Sequence, residues 1–97
     1  MRGVAAVEII YTMARVCLEF NLPNASKIRL IMKPNDHLRK AFSAIADREA
    51  IHPDTFLFES EGMVLMSDRS PIEYGWPIYP SYQSWDTINP VQIDVSY

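Results

Sequence analysis

The sequence predicts an α+β fold in which a single helix packs across one face of a mixed β-sheet. Short runs with alternating apolar residues, bounded by Pro, Gly and Asn, are typical of strands. One central run instead repeats its apolar residues at three and four positions, as a helix does. The predicted order is strand, strand, helix, strand, strand, short helical turn, strand. Two hairpins on either side of one helix favour a sheet that buries one face against that helix.

Residues before the helix are predicted to form the first hairpin. Positions 4–13 are apolar without a clean period, so a strand and a helix both stay open there. In positions 16–20, Val16, Leu18 and Phe20 share one face, with Cys17 and Glu19 on the other. Positions 21–26 form the turn. In positions 27–33, alternation places Ile28, Leu30 and Met32 on the inner face.

Pro34 ends the second strand, because proline cannot donate to a strand ladder. We expect Asn35 or Asp36 to cap the helix that follows. The predicted core face of that helix carries five apolar residues at helical spacing: Leu38, Ala41, Phe42, Ile45 and Ala46.

The second half of the chain contains the sharpest local signal, Ser70 to Trp76. Strands are predicted over 55–59 and 63–66, joined by a turn at Gly62. Ser70 is a favourable N-cap, Glu73 is placed to reach back as a capping-box carboxylate, and Gly75 ends the turn. A long loop rich in proline and aromatic residues follows over 77–90, and a final strand begins at Val91.

Composition bounds the class of protein. The 97 residues suit one domain, 48% are apolar, and the formal net charge is −3. Most cations lie in one stretch: Lys27, Arg29, Lys33, Arg39, Lys40 and Arg48. Acidic residues dominate after Arg48, so nothing in the global charge argues for a nucleic-acid partner.

The sequence lacks the residues that several classes of chemistry require. Cys17 is the only cysteine, so it cannot form a disulfide within the chain, which favours a reducing compartment. Cys17, His37 and His52 do not make up a zinc set or a spacing that predicts a thiol nucleophile. We expect no catalytic residues, no metal and no cofactor. No apolar run reaches the length of a membrane span, and Glu8 argues against a secretory signal.

The motifs together resemble the small ubiquitin-like modifier, SUMO, and hence the ubiquitin-like β-grasp family. The similar segments are Val16–Phe20, Ile28–Lys33, His37–Lys40, Arg48–Ile51, Phe56–Gly62 and Ser70–Trp76, and they match without a gap. Residues 1–14 have no counterpart and are expected to be an N-terminal extension to a domain over 15–97. The loop over 77–90 is longer than the family's turn. The end at Tyr97 lacks the Gly-Gly that conjugation uses, so we expect a domain that is not a conjugated modifier.

The resemblance implies a binding groove beside the second strand, where a partner strand adds in SUMO. An exposed strand edge offers unpaired backbone groups, and neighbouring side chains supply specificity. By position, the groove residues are Leu30, Ile31, Met32, Lys33, Lys40, Ala41, Ile45 and Arg48. The three cations among them would attract an acidic flank of the partner. Leu30, Met32 and Ile45 could alternatively be core residues, with the cations a solvated rim.

The aromatic residues Tyr79, Tyr82 and Trp85 leave two interpretations open. Their rings could fold back onto the sheet, or they could form a second contact surface, since aromatic anchors dominate protein interfaces.

Two functions fit these observations. The first is a non-catalytic ubiquitin-like module that binds protein partners non-covalently, and the second is a structural accessory subunit of a large assembly. Partners would bind through strand addition at the second strand or through both chain extensions, with no nucleic acid. The resemblance implies an intracellular protein of the cytoplasm or nucleus, and a mitochondrial complex stays open as the alternative.

Overall fold

A computed structural model describes residues 14–80 and 85–97, and its elements follow the predicted order. The predictions for residues 1–13 and for Tyr82 concern positions outside the described residues. The elements are the strands β1 (Val16–Asn21), β2 (Lys27–Met32), β3 (Leu57–Ser60), β4 (Met63–Val64) and β5 (Val91–Ser96), and the helix α1 (Arg39–Glu49). Short 3-10 turns form at Pro53–Thr55 and Trp85–Thr87.

The five strands form one mixed sheet in the order β2-β1-β5-β3-β4. β1 pairs antiparallel with β2, with Leu18 opposite Leu30, and parallel with β5, with Phe20 opposite Ile93. β3 pairs antiparallel with β5 and with β4. β2 and β4 are therefore the two edges of the sheet. The predicted α+β class, with one helix and a mixed sheet in the described part of the chain, is confirmed.

The core lies between α1 and the inner face of the sheet. The predicted helical face is buried: Leu38, Ala41, Phe42, Ile45 and Ala46. Val16, Leu18 and Phe20 are each fully buried opposite it, as the alternation predicted. Four phenylalanines pack at the centre, where the rings of Phe42 and Phe58 stack at 3.9 Å between centroids. This aromatic cluster joins the helix to the middle of the sheet.

Burial on the outer face of β1 was not predicted. Cys17 is 3% exposed and Glu19 is 6% exposed, although alternation places both away from the core. The outer face of the sheet is therefore covered at β1 as well. Two contacts bring the 77–90 loop to this side. The backbones of Arg15 and Tyr79 exchange two hydrogen bonds of 2.8 Å, and the Arg29 guanidinium lies 5.2 Å from the Trp85 ring centroid.

The helix begins later than predicted, and its cap is different. The N-cap is Leu38, with no side-chain hydrogen bond, so the expected cap by Asn35 or Asp36 is wrong. The backbone N–H groups of Leu38 and Arg39 instead donate to the carbonyls of Arg69 and Ser67, at 2.8 and 2.9 Å. Because these carbonyls satisfy helix-start donors, a side-chain cap is not required there. The helix ends at Ala50, whose left-handed φ of 55° closes its C-terminus.

In the turn after β4, Glu73 reaches back as predicted, but the Ser70 hydroxyl does not cap a backbone N–H, since the Glu73 N–H donates to the Ser70 carbonyl at 3.1 Å. The Ser70 backbone N–H donates to the Glu73 carboxylate at 2.7 Å, and the Ser70 hydroxyl donates to the same oxygen at 3.0 Å. These hydrogen bonds hold the pKa of Glu73 below its usual value. Gly75 takes a φ of +70°, as a left-handed terminator must. Trp76 packs partly buried against the core.

β3 begins two residues after the predicted Thr55, and β4 spans only two residues. Within the described ranges, 14–80 and 85–97, no helix combines the length and apolar character that crossing a lipid bilayer requires.

Candidate functional site

A groove of about 420 Å³ lies between the edge strand β2 and the helix α1, where the sequence placed a binding site. Six of the expected residues line it: Leu30, Ile31, Met32, Lys33, Lys40 and Ala41. The floor is apolar, because Met32 and Ala41 are buried and Leu30 is half-buried against the core. The side chain of Ile31 is 42% exposed. An apolar floor beside a strand edge with which no described strand pairs is suited to an extended peptide.

Two of the expected groove residues lie elsewhere. Ile45 is 1% exposed and belongs to the core, so its side chain is not available to a partner. Arg48 is exposed in the last turn of α1 and does not line the groove.

Three residues that the sequence interpretation missed complete the lining: Arg15, Asp36 and Ala44. Ala44 could have been found from its spacing, since it follows Lys40 by four residues and shares that side of the helix. Arg15 directly precedes Val16, which pairs with Met32, so the hairpin register brings Arg15 to the same end of β2 as Lys33.

The groove carries a net positive charge. Arg15, Lys33 and Lys40 line it, and Asp36 is the one carboxylate among its described lining residues. The Lys40 Nζ lies 3.5 Å from Asp36 Oδ2, an exposed pair that offsets part of the Lys40 charge. The Arg15 guanidinium donates a hydrogen bond of 3.0 Å to the Ala14 carbonyl. The exposed Lys33 at the end of β2 favours an acidic group there.

The described aromatic residues of the loop are anchored on this molecule. The Tyr79 hydroxyl accepts a hydrogen bond of 3.2 Å from the Asn89 backbone, and Trp85 covers the Arg29 guanidinium. Both side chains are half-buried. This arrangement favours the interpretation that the loop folds back onto the sheet.

Beneath Trp85 lies an ion-pair cluster centred on Glu19. Arg29 Nε donates to Glu19 Oε2 at 2.8 Å, and Lys27 Nζ lies 3.5 Å from Glu19 Oε1. The hydrogen bond from Arg29 is the main cause that lowers the pKa of Glu19, with smaller contributions from Gln92 and Lys27. The cluster ties β1 to β2 on the outer face of the sheet.

Cys17, His37 and His52 lie in different environments, one buried and two exposed. Cys17 is buried in β1 opposite Ile31, and burial raises the pKa of its thiol. His52 is exposed, and its Nδ1 accepts a hydrogen bond from the Asp54 backbone at 3.2 Å. His37 is exposed ahead of the helix. In the part of the chain that the structure describes, no group of three His, Cys, Asp or Glu residues is placed to hold a metal ion.

Comparison of the sequence with models of known protein families finds no match, and comparison with curated proteins finds none either.

Proposed function

We propose that this chain is a non-catalytic, SUMO-like interaction module with a ubiquitin-like β-grasp fold. Its partner would be an extended protein segment with β-branched apolar residues and an acidic flank, bound non-covalently in the groove between β2 and α1. The observation that supports this proposal most directly is the groove itself, which joins an apolar floor, a cationic end and a strand edge with which no described strand pairs. The strand order and the gap-free motif resemblance support the β-grasp assignment.

In the proposed mechanism, the backbone and the side chains of the groove make different contacts with the peptide. A peptide strand adding to β2 would pair with the edge N–H and C=O groups, while its apolar residues fill the floor made by Leu30, Met32 and Ala41. Acidic residues of the peptide would lie near Arg15 and Lys33. Lys33 is exposed and Arg15 is half-buried, and such cations contribute mainly to the association rate and to specificity, so binding should weaken with salt.

The test is titration of a peptide with four β-branched residues followed by three acidic residues, monitored by backbone amide shifts. We expect shifts confined to β2 and α1, and loss of binding in the double variant Leu30→Asp with Lys40→Glu. Because Leu30 packs against the core, Lys40→Glu alone provides a variant that preserves the fold. We expect it to weaken binding about threefold to tenfold at low salt.

Arg48→Glu is the matched control, since it makes the same charge change on the same helix outside the groove lining. It should leave the affinity within about twofold of the original, because an exposed charge at that distance is screened. Tight peptide binding by a folded Leu30→Asp, Lys40→Glu protein would reject the groove as the binding site.

A second candidate, an accessory subunit of a large assembly, is favoured by a different observation. Three exposed apolar side chains line one depression beside β3 and β4: Leu57, Val64 and Met66. Such a patch marks a surface that another chain covers. Under this alternative the isolated chain should self-associate or aggregate at micromolar concentration, and Val64→Lys with Met66→Lys should restore a monomer. A monomer without these changes favours the free module.

A further inference from the structure

A second concave site lies at the opposite end of the sheet from the groove, between the β3–β4 turn, the Ser70–Trp76 turn and the start of β5. It is a cleft of about 680 Å³, which is within the usual range for ligand-binding clefts. Its walls include Tyr74, Trp76, Pro77 and Pro90. Two chain segments therefore bring aromatic and proline side chains together in the cleft, and the β3–β4 turn closes it.

The two aromatic residues are held in a fixed arrangement. Their rings stack at 5.1 Å between centroids with an interplanar angle of 18°. The Tyr74 hydroxyl accepts a hydrogen bond of 2.9 Å from the Met66 backbone, which fixes the tyrosine ring against the segment after β4. Trp76 is tied through its backbone N–H to the Pro71 carbonyl at 3.3 Å. Because both rings are half-buried, ring surface stays accessible in the cleft without a large ordering cost on binding.

The charges at this cleft have one sign. Glu61 and Asp94 line it, and none of its described lining residues is a lysine or arginine. The described ion pairs leave both carboxylates without a cationic partner. Asp94 Oδ1 accepts only a neutral hydrogen bond of 3.2 Å, from the Asn21 amide. An occupant with positive charge would therefore gain electrostatic attraction that an acidic or neutral one would not.

We propose that this cleft binds an arginine-bearing basic segment of a protein partner. One guanidinium would lie on the ring of Trp76, with the two carboxylates of Glu61 and Asp94 within reach of its N–H donors. The molecule already uses this chemistry internally, since the Arg29 guanidinium lies over the Trp85 ring at 5.2 Å and pairs with Glu19. The site is separate from the β2–α1 groove and takes the opposite charge, so either proposal can fail without the other.

The experiment titrates the ¹⁵N-labelled chain with acetyl-Gly-Arg-Gly-Arg-Gly-amide and observes the two indole N–H signals. We expect the Trp76 signal to shift in a saturable way while the Trp85 signal stays in place as an internal reference. The same peptide with citrulline for arginine keeps the shape without the charge and should not bind. Replacing arginine by lysine should weaken binding, because the planar guanidinium stacks on indole and pairs with carboxylates in a bidentate manner.

Variants then assign the binding to the cleft. Trp76→Leu should weaken the affinity about fivefold or more, since it removes the cation–π contact. Trp76→Phe keeps an aromatic ring in the core and should weaken the affinity less. It provides a folded variant if Trp76→Leu does not fold. Glu61→Gln with Asp94→Asn should reduce affinity about threefold to tenfold at low salt. The matched pair Glu49→Gln with Asp68→Asn removes two carboxylates outside the cleft lining and should change little.

Four results would overturn the proposal. The first is the absence of a saturable Trp76 shift up to about 10 mM peptide, which would place the dissociation constant above the millimolar range. The others are equal shifts of both indoles, equal binding of the citrulline peptide, and self-association of the chain that protects Trp76. The last would assign the cleft to a second copy of this chain instead.

Discussion

The two faces of the sheet are both buried at β1, but different elements cover them. On the inner face, Leu18 and Phe20 lie against α1 in a wholly apolar core. On the outer face, Cys17 and Glu19 are almost as inaccessible, although one of them carries a charge. Burial on the inner face comes from hydrophobic packing, whereas Glu19 on the outer face is enclosed by its paired cations and by Trp85, which lies over Arg29.

This difference affects how each face should respond to perturbation. Removing apolar volume from a close-packed core costs both transfer free energy and the free energy of the cavity that remains. Removing one partner of a half-solvated ion pair costs less, because Arg29 and Lys27 have side chains that are 52% and 62% exposed. We therefore expect a graded series of effects from the inner face to the outer face.

The largest effect is expected at Phe58. Its ring stacks on Phe42 at 3.9 Å and contacts the edges of Phe20 and Phe56 at 5.9 and 5.8 Å. Phe58→Ala should lower the free energy of unfolding in urea by about 3 to 5 kcal/mol. Leu57→Ala is the matched control on the neighbouring residue, which points outward and is 40% exposed, and it should cost less than about 1 kcal/mol. Similar losses for the two variants would remove the distinction between the faces.

The inner face could be predicted from the sequence because hydrophobic periodicity is a local property. Alternation identified Val16, Leu18 and Phe20, and helical spacing identified Phe42 and Ile45. The outer face could not, because the burial of Glu19 depends on contacts with residues distant in sequence, such as Gln92 and, through Arg29, Trp85. The failed helix cap has the same cause, since the carbonyls that replace it come from Ser67 and Arg69.

The candidate groove likewise contains residues that could be predicted from the sequence and residues that could not. All eight residues were carried over by position from the resemblance, and the strand residues Leu30 to Lys33 line the groove together with Lys40 and Ala41. Further along the helix, Ile45 and Arg48 do not line the groove. Position does not specify the rotation of a helix against its sheet, which is set by the packing of Leu38 and Phe42 in the core.

The second effect in the series concerns Glu19. Glu19→Gln should lower the free energy of unfolding at pH 7 by about 1 to 2 kcal/mol, between the values for surface and buried ion pairs. The folded pKa of Glu19 is lowered, so its contribution is present above the unfolded pKa and is lost as pH falls through the folded pKa. The stability difference between the original protein and Glu19→Gln should therefore shrink on acidification below about pH 4.5, the ordinary value for a glutamate.

Urea unfolding at a series of pH values between about 3 and 7 measures this difference. Glu49→Gln serves as the control, because Glu49 lies at the end of α1 away from the cluster. A Glu19→Gln difference that stays constant across the series would show that the ionised form is not what stabilises the outer face.

A smaller effect is expected at Trp85. Trp85→Leu keeps an apolar cover over Arg29 but removes the cation–π contact, so the free energy of unfolding should fall by about 0.5 to 1 kcal/mol. Combining it with Glu19→Gln tests coupling through Arg29, which contacts both residues. Strictly additive losses in this double-mutant cycle would mean that the ring and the carboxylate act independently.

The smallest expected effect is on the reaction rate of the Cys17 thiol. It tests most directly whether the loop over 77–90 covers the outer face of the sheet. Cys17 lies on β1 between Arg15 and Glu19, near the two points where the 77–90 loop contacts the sheet, and burial raises the pKa of its thiol. Its reaction with a thiol reagent should therefore be slow and should require local opening. If the loop controls that opening, Trp85→Leu should speed labelling about twofold to fivefold under native conditions, in proportion to the weakened contact. Labelling that follows only global unfolding, as measured in low concentrations of urea, would instead mean that the outer face opens together with the core and that the two faces form one cooperative unit.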